Sequence, residues 1–202
     1  MIMANVKLSQ AERELMINAQ IILTKNNIIA KVYELFGRLS SHYTEQAQQH
    51  INVLAQEPLS IQPKISKGEN YLGLPWVMLD YPRYFSGDDI FSVRTFFWWG
   101  NYCSISLLLS GKFQQQYAAA IETWISRNDT QHWFFCCNED KWEHHFEEDN
   151  YQPISISGTK KIKELSFIKL AKKIPLQEWD ETEIFLQNGF IEIMNILSGS
   201  AS

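Results

Sequence analysis

Apolar residues recur at helical spacing through the first quarter of the chain. Leu8, Ala11, Leu15, Ala19 and Ile22 form one series, and Val32, Leu35, Phe36, Leu39, Tyr43, Ala47, Ile51 and Leu54 form another. Ser9, with Glu12 three residues later, has the form of a capping box, so a helix is predicted to open there. Asn26-Asn27 is a predicted break between two helices, with one bent helix as the alternative. The second helix, of roughly 28 residues at about 1.5 Å each, would span about 40 Å, more than a small sheet needs. Its polar half, SSHYTEQAQQH, is expected to lie partly solvated across the domain or to protrude toward a partner.

Beyond Pro58 and Pro63 the period changes. LSIQPKISKGEN reads as a linker, and LGLPWVMLDYP as a buried strand stopped by Pro82. IFSVRTFFWW and YCSISLLLS read as two strands joined at Gly100-Asn101, a pair suited to a two-residue reversal. From Gly111 to Ser126, Phe113, Tyr117, Ala120, Ile121 and Trp124 share one helical face. HWFFCCN and WEHHF predict another hairpin about Glu139-Asp140, and LSFIKLAKKIPL holds a last strand. A final helix is expected from about Asp180, with Glu183 completing a second capping-box pattern. Its core face would carry Ile184, Ile191, Met194 and Leu197, with Phe185 and Phe190 beside them. Strand runs joined by tight turns imply an α+β fold, with a mainly antiparallel sheet of five or six strands packed with helices. Residues 1–57 would be a helical arm, packed on an α+β domain of residues 58–202. The element order after residue 70 resembles that of type III secretion chaperones, a chaperone-like order that brings no motif residues with it.

Four consecutive aromatics, Phe96 to Trp99, put two rings on each side of a strand, so both sides need cover. A two-residue turn would set Trp99 opposite Tyr102. Directly opposed residues share a face, so Phe91, Phe97 and Trp99 would then join Tyr102, Ser104 and Ser106. That ring-and-serine surface is the candidate face for a ligand or partner. Arg94 would sit on the other, aliphatic face, where a buried guanidinium requires a paired acid. Asp80 is the nearest on a strand, with Arg83 and Tyr84 completing a candidate polar corner.

Composition narrows the function classes. Twelve Phe, eight Tyr and seven Trp are many for 202 residues, and aromatics serve cores and interfaces first. A net charge of −5 argues against a nucleic-acid binder, whose affinity comes from Lys and Arg on phosphates. No signal-peptide run or membrane span is evident, and three cysteines, two adjacent, suit reduced thiols in the cytoplasm. The expected hairpin would align Cys136, Glu143, His145 and His132 on one face, a set strung too far along the strands to converge on a metal. It would place Cys137 and His144 on the aromatic face, a poor setting for a nucleophile. Six acids in residues 139–149 and six lysines in residues 160–173 would pair across neighbouring strands.

No catalytic residues, metal ligands or cofactor are assigned. The reading is a non-enzymatic protein-binding or adaptor domain that self-associates as a homodimer or meets another protein. The alternative is a small-ligand binder or weak enzyme using the ring-and-serine face.

Overall fold

Ser9 caps the first helix as its sequence predicts: its hydroxyl accepts from Glu12 N, and the Glu12 carboxylate returns to Ser9 N at 2.7 Å. The structure, a computed structural model, describes residues 6–127, 130, 132–154 and 165–199. The helices are α1 (Gln10–Ile17), α2 (Ala19–Gln49), α3 (Gln56–Ser60), α4 (Lys112–Arg127) and α5 (Thr182–Ser198). The strands are β1 (Lys64–Tyr71), β2 (Leu74–Ser86), β3 (Asp89–Trp98) and β4 (Tyr102–Ser110), then β5 (Phe134–Cys136), β6 (Tyr151–Pro153) and β7 (Phe167–Pro175). A 3-10 turn over Leu176–Glu181 leads into α5.

The first four strands form a meander, and β7 returns antiparallel onto β4. The order is β1-β2-β3-β4-β7-β5-β6, with antiparallel pairing throughout. The α+β class therefore holds, with seven strands among the described residues instead of five or six. One added strand is β1, expected as linker. KISKGENY lacks apolar alternation because it is an edge strand, half in water, with Lys64 and Lys67 of the kind that discourages edge-to-edge pairing. The expected WEHHF strand does not form. Cys136 pairs with Tyr151 instead of Glu143, and residues 137–150 cross the sheet as an irregular strap.

Helices α2, α4 and α5 cover one face of the sheet. There Val77, Leu79, Phe91, Val93, Phe97, Cys103, Ile105, Leu107 and Leu109 pack with Phe36, Leu39, Phe113, Ile121, Phe190 and Ile193. Each large side chain buried in this way contributes about 1.5–3 kcal/mol. Tyr43 ties three elements together. Its hydroxyl meets Thr95 Oγ1 at 3.0 Å and donates to Leu186 O at 3.3 Å, and its ring stacks 4.0 Å from Phe190. Gly189 lets α5 approach the sheet, since a Cβ there would lie 2.7 Å from Ile105 Cγ2. The buried face of α5 is Leu186, Phe190, Ile193, Met194 and Leu197, whereas Ile184 is half exposed. The second capping box is absent: Glu183 instead pairs with Arg38 of α2 through two bonds of 2.9 and 2.8 Å.

The N-terminal arm differs from expectation in where it breaks. α2 runs unbroken through Asn26-Asn27, and the break falls at Asn18, whose side chain accepts from Gln20 N. The second half of α2 lies partly solvated across the domain, the first of the two expected placements, and it is the beginning of the arm that stands free. The polar half carries a narrow apolar stripe of Leu39, Tyr43 and Ala47 that is fully buried. Every residue from Val6 to Thr24, by contrast, is exposed. Lys25, paired with Glu69 of β1, marks where α2 first touches the domain.

Candidate functional site

The reversal after β3 is one residue longer than predicted. Trp98, not Trp99, lies opposite Tyr102, and Trp99, Gly100 and Asn101 form the loop. Trp99 N still donates to Pro75 O at 3.0 Å and so stays on the β2 side, while Asn101 N closes the loop on Trp98 O at 3.1 Å. Gly100 occupies the left-handed region that this loop requires (φ 74°).

One residue of register exchanges the faces of β4 relative to β3. The predicted ring-and-serine set is therefore split. Phe91, Phe97 and Trp99 lie on the helix face, where Phe91 meets Phe113 edge to face and Phe97 does the same to Trp179. Tyr102, Ser104 and Ser106 lie on the other face with Arg94, Phe96 and Trp98. The polar corner is split as well. Asp80 and Arg94 meet, but Arg83 Nε donates to Gln62 O at 2.9 Å, and Tyr84 packs on Phe113 on the helix side.

The Asp80–Arg94 pair is the centre of the second face. The two residues are directly opposed on β2 and β3. Arg94 Nε reaches Asp80 Oδ1 at 2.7 Å and Nη2 reaches Oδ2 at 3.0 Å, with both side chains about one-tenth exposed. Ser92 donates to Asp80 Oδ1 at 3.2 Å. The far side of the guanidinium faces His144 Nε2 at 3.5 Å and the Trp142 ring at 5.8 Å. Both of these residues come from the strap.

The strap is held by polar groups rising from the sheet. The Tyr71 hydroxyl accepts N–H bonds from His144 (2.6 Å) and His145 (3.0 Å) and donates to Glu143 Oε2 at 2.8 Å. Tyr102 donates to His144 O at 3.1 Å. The Lys169 ammonium donates to the carbonyls of Lys141, at 2.9 Å, and Glu143. Rings fill the space between: His144 lies over Phe96 at 4.7 Å, and Phe146 stacks on Tyr151 at 4.4 Å and meets Tyr102 edge to face.

Burial sets the protonation of this face. It holds the His144 imidazole well below its ordinary range, helped by the Lys169 and Arg94 charges. It lowers Lys169 to about 8 and pushes Tyr71 up to about 12. The Cys136 thiol is raised, and burial on the helix face takes Cys103 up to about 12. Both are thus held as poorly nucleophilic thiols. Cys137 Sγ approaches Glu148 O at 3.6 Å while His144 faces Arg94, so the pair expected on one strand face does not form.

The chemistry available here is cohesive more than reactive: donors and acceptors of the strap are met from within the chain. No group of three or more His, Cys, Asp or Glu among the described residues has the arrangement of a metal site. The β7 lysines are also held otherwise than predicted. Lys169 bonds backbone carbonyls, and Lys172 bonds Glu192 at 2.7 Å, which also accepts from Trp133 Nε1. Lys173 lies over the rings of Tyr102 and Phe146. Lys160, Lys161 and Lys163 fall outside the described residues.

Open space lies on the helix side. One cleft of about 350 Å³ lies between Arg38 of α2 and Trp179, and another of about 650 Å³ runs beside Tyr33 and Lys67. Among the described residues no helix is long and apolar enough to cross a membrane. The free apolar surface is the first part of the arm, whereas the sequence reading placed a possible partner contact on its second, polar half. Leu15, Met16, Ile17, Ile22 and Leu23 are each more than half exposed, with Leu8 and Ile21 at 40% and 43%. The signal was present: these residues occupy three consecutive positions twice, more than one helical face can bury against a sheet. No protein-family model matches the chain, and neither curated proteins nor solved structures include a significant match.

Proposed function

We propose that the chain is a non-enzymatic protein-binding domain that engages its partner through the helical arm. The observation that carries this reading is the run of exposed aliphatic side chains from Leu8 to Leu23. At roughly 100 Å² for each, the seven side chains expose on the order of 700 Å² of apolar surface, above the usual range for a monomer's largest patch. The domain offers them no internal cover, and α1, only eight residues long, is too short to be stable alone in water. A partner supplies both needs at once.

The alternative, a small-ligand binder or weak enzyme, took its geometry from rings and serines sharing a face. Phe91, Phe97 and Trp99 lie on the helix face and Tyr102, Ser104 and Ser106 beneath the strap, so the six do not line one surface, and no observation favours that alternative over the arm.

The test is site-specific photo-cross-linking in the cells that make the protein. Benzoylphenylalanine at Leu15 or Met16 is expected to give light-dependent protein adducts, and the same probe at Gln116, exposed on α4, is expected to give none. Absence of adducts at both arm positions would overturn the reading.

A further inference from the structure

We propose that the partner of the arm is a second copy of this chain, the two arms lying antiparallel about a two-fold axis at Ala19. The inference rests on the protein-binding reading above and names the partner. In an isologous contact, if residue i of one copy meets residue j of the other, then j meets i. A segment that pairs with itself antiparallel must therefore present the same kind of residue when read in either direction. LMINAQIIL, residues 15–23, does so. Reversal about Ala19 sets Leu15 against Leu23, Met16 against Ile22, Ile17 against Ile21, and Asn18 against Gln20. The residue at the axis is alanine, small enough for two backbones to approach.

The same segment is exposed, and it spans the break at Asn18. Each copy's α1 would lie along the first turns of the other's α2, giving the eight-residue helix the neighbour that it lacks. The arm carries no net charge: Lys7 and Arg13 balance Glu12 and Glu14 over residues 6–24. Reversal sets Arg13 opposite Lys25 of the other copy, where Glu12 and Glu14 flank Arg13 and Glu69 of its own copy holds Lys25. The exposed apolar surface, with the polar stems beside it, is comparable to the roughly 800 Å² per partner of a standard interface. A lipid surface fits less well, because the arm has no lysine- or arginine-rich polar face to meet anionic headgroups.

The test is the solution mass of the full chain by light scattering at 1–100 μM, with two charge variants. The wild type is expected at about 47 kDa, twice 23.6 kDa. Leu15→Glu and Leu23→Lys are each expected to weaken the dimer at least tenfold, since each buries a charge against leucine. Mixed in equal amounts they are expected to regain the dimer, because the carboxylate introduced in one copy then faces the ammonium introduced in the other. Both positions are exposed, so the domain fold is not at stake. A monomeric wild type overturns the proposal, whether or not it floats with vesicles of anionic lipid. So does a dimer indifferent to both variants, or a mixture that stays monomeric. The photo-cross-link separates the two readings: an adduct with a different protein removes the self-pairing and leaves protein binding standing, whereas no adduct removes both.

Discussion

Arg94 holds both carboxylate oxygens of Asp80 directly across the β2–β3 ladder, in a layer closed above by His144 and Trp142 of the strap. Removing one partner strands the other's charge in a nearly dry site. Asp80→Asn or Arg94→Met is expected to cost about 3–5 kcal/mol, whereas the Asp80→Leu, Arg94→Met double variant should recover most of that loss. Urea unfolding of the three variants measures it. Equal losses in the single and double variants would mean that the pair does more than balance itself.

Acid should loosen the protein through His144. Its folded form is kept neutral well below the ordinary pKa, so below about pH 6.5 the unfolded chain takes up a proton that the folded chain does not. The resulting stability is fully present above that range and falls with pH by up to about 1.4 kcal/mol per unit. Unfolding free energies at pH 7, 6 and 5 are expected to fall less steeply in His144→Gln than in the wild type. Parallel curves would place the ring in water.

Lys169 should act at the alkaline end. Its folded pKa of about 8 lies below the ordinary 10.5, so between these values the unfolded chain holds the extra proton. Stability from this group rises with pH across that window, by on the order of 3 kcal/mol, and is flat below it. Tyr71 and Cys103, both raised to about 12, pull the other way above about pH 9. The comparison is therefore between the wild type and Lys169→Met. The wild type's advantage is expected to grow from pH 7.5 to 9.5, and a constant difference would contradict the burial of a charged amine.

Gly189→Ala should destabilise, although alanine is the better helix former by about 1 kcal/mol. The new methyl would press on Ile105 Cγ2 and on Lys172 Cε, at 2.7 and 3.1 Å, where the sheet cannot yield. Overpacking of this kind costs about 1–3 kcal/mol, enough to outweigh the gain in propensity. Thermal unfolding reads the sign directly.

Much of this was legible before any coordinates. Periodicity located α4 and the central strands, the Ser9–Glu12 box located α1, and the isolation of Arg94 on an apolar strand pointed to Asp80. What failed did so for local reasons. Gly100-Asn101 suits a two-residue turn equally well; the longer loop is held by Asn101 N on Trp98 O and by Trp99 N on Pro75 O of β2, a partner that the local sequence does not reveal. The strap misleads because WEHHF alternates like a strand. Its backbone bonds go instead to Tyr71, Tyr102 and Lys169, from three separate strands, which one-dimensional pattern does not record. The free half of the arm escapes any reading that equates apolar residues with burial in the same chain. A surface kept for another protein has the same composition.

The central claim is that the chain covers both faces of its own sheet, the second with the strap, and leaves the arm for a partner. Hydrogen exchange of dilute protein tests it most directly, peptide by peptide. Slow exchange is predicted at His144 and His145, whose N–H groups bond Tyr71, and exchange within seconds over residues 10–24. Fast exchange in the strap, or arm amides as protected in the dilute monomer as those of β3, would contradict it.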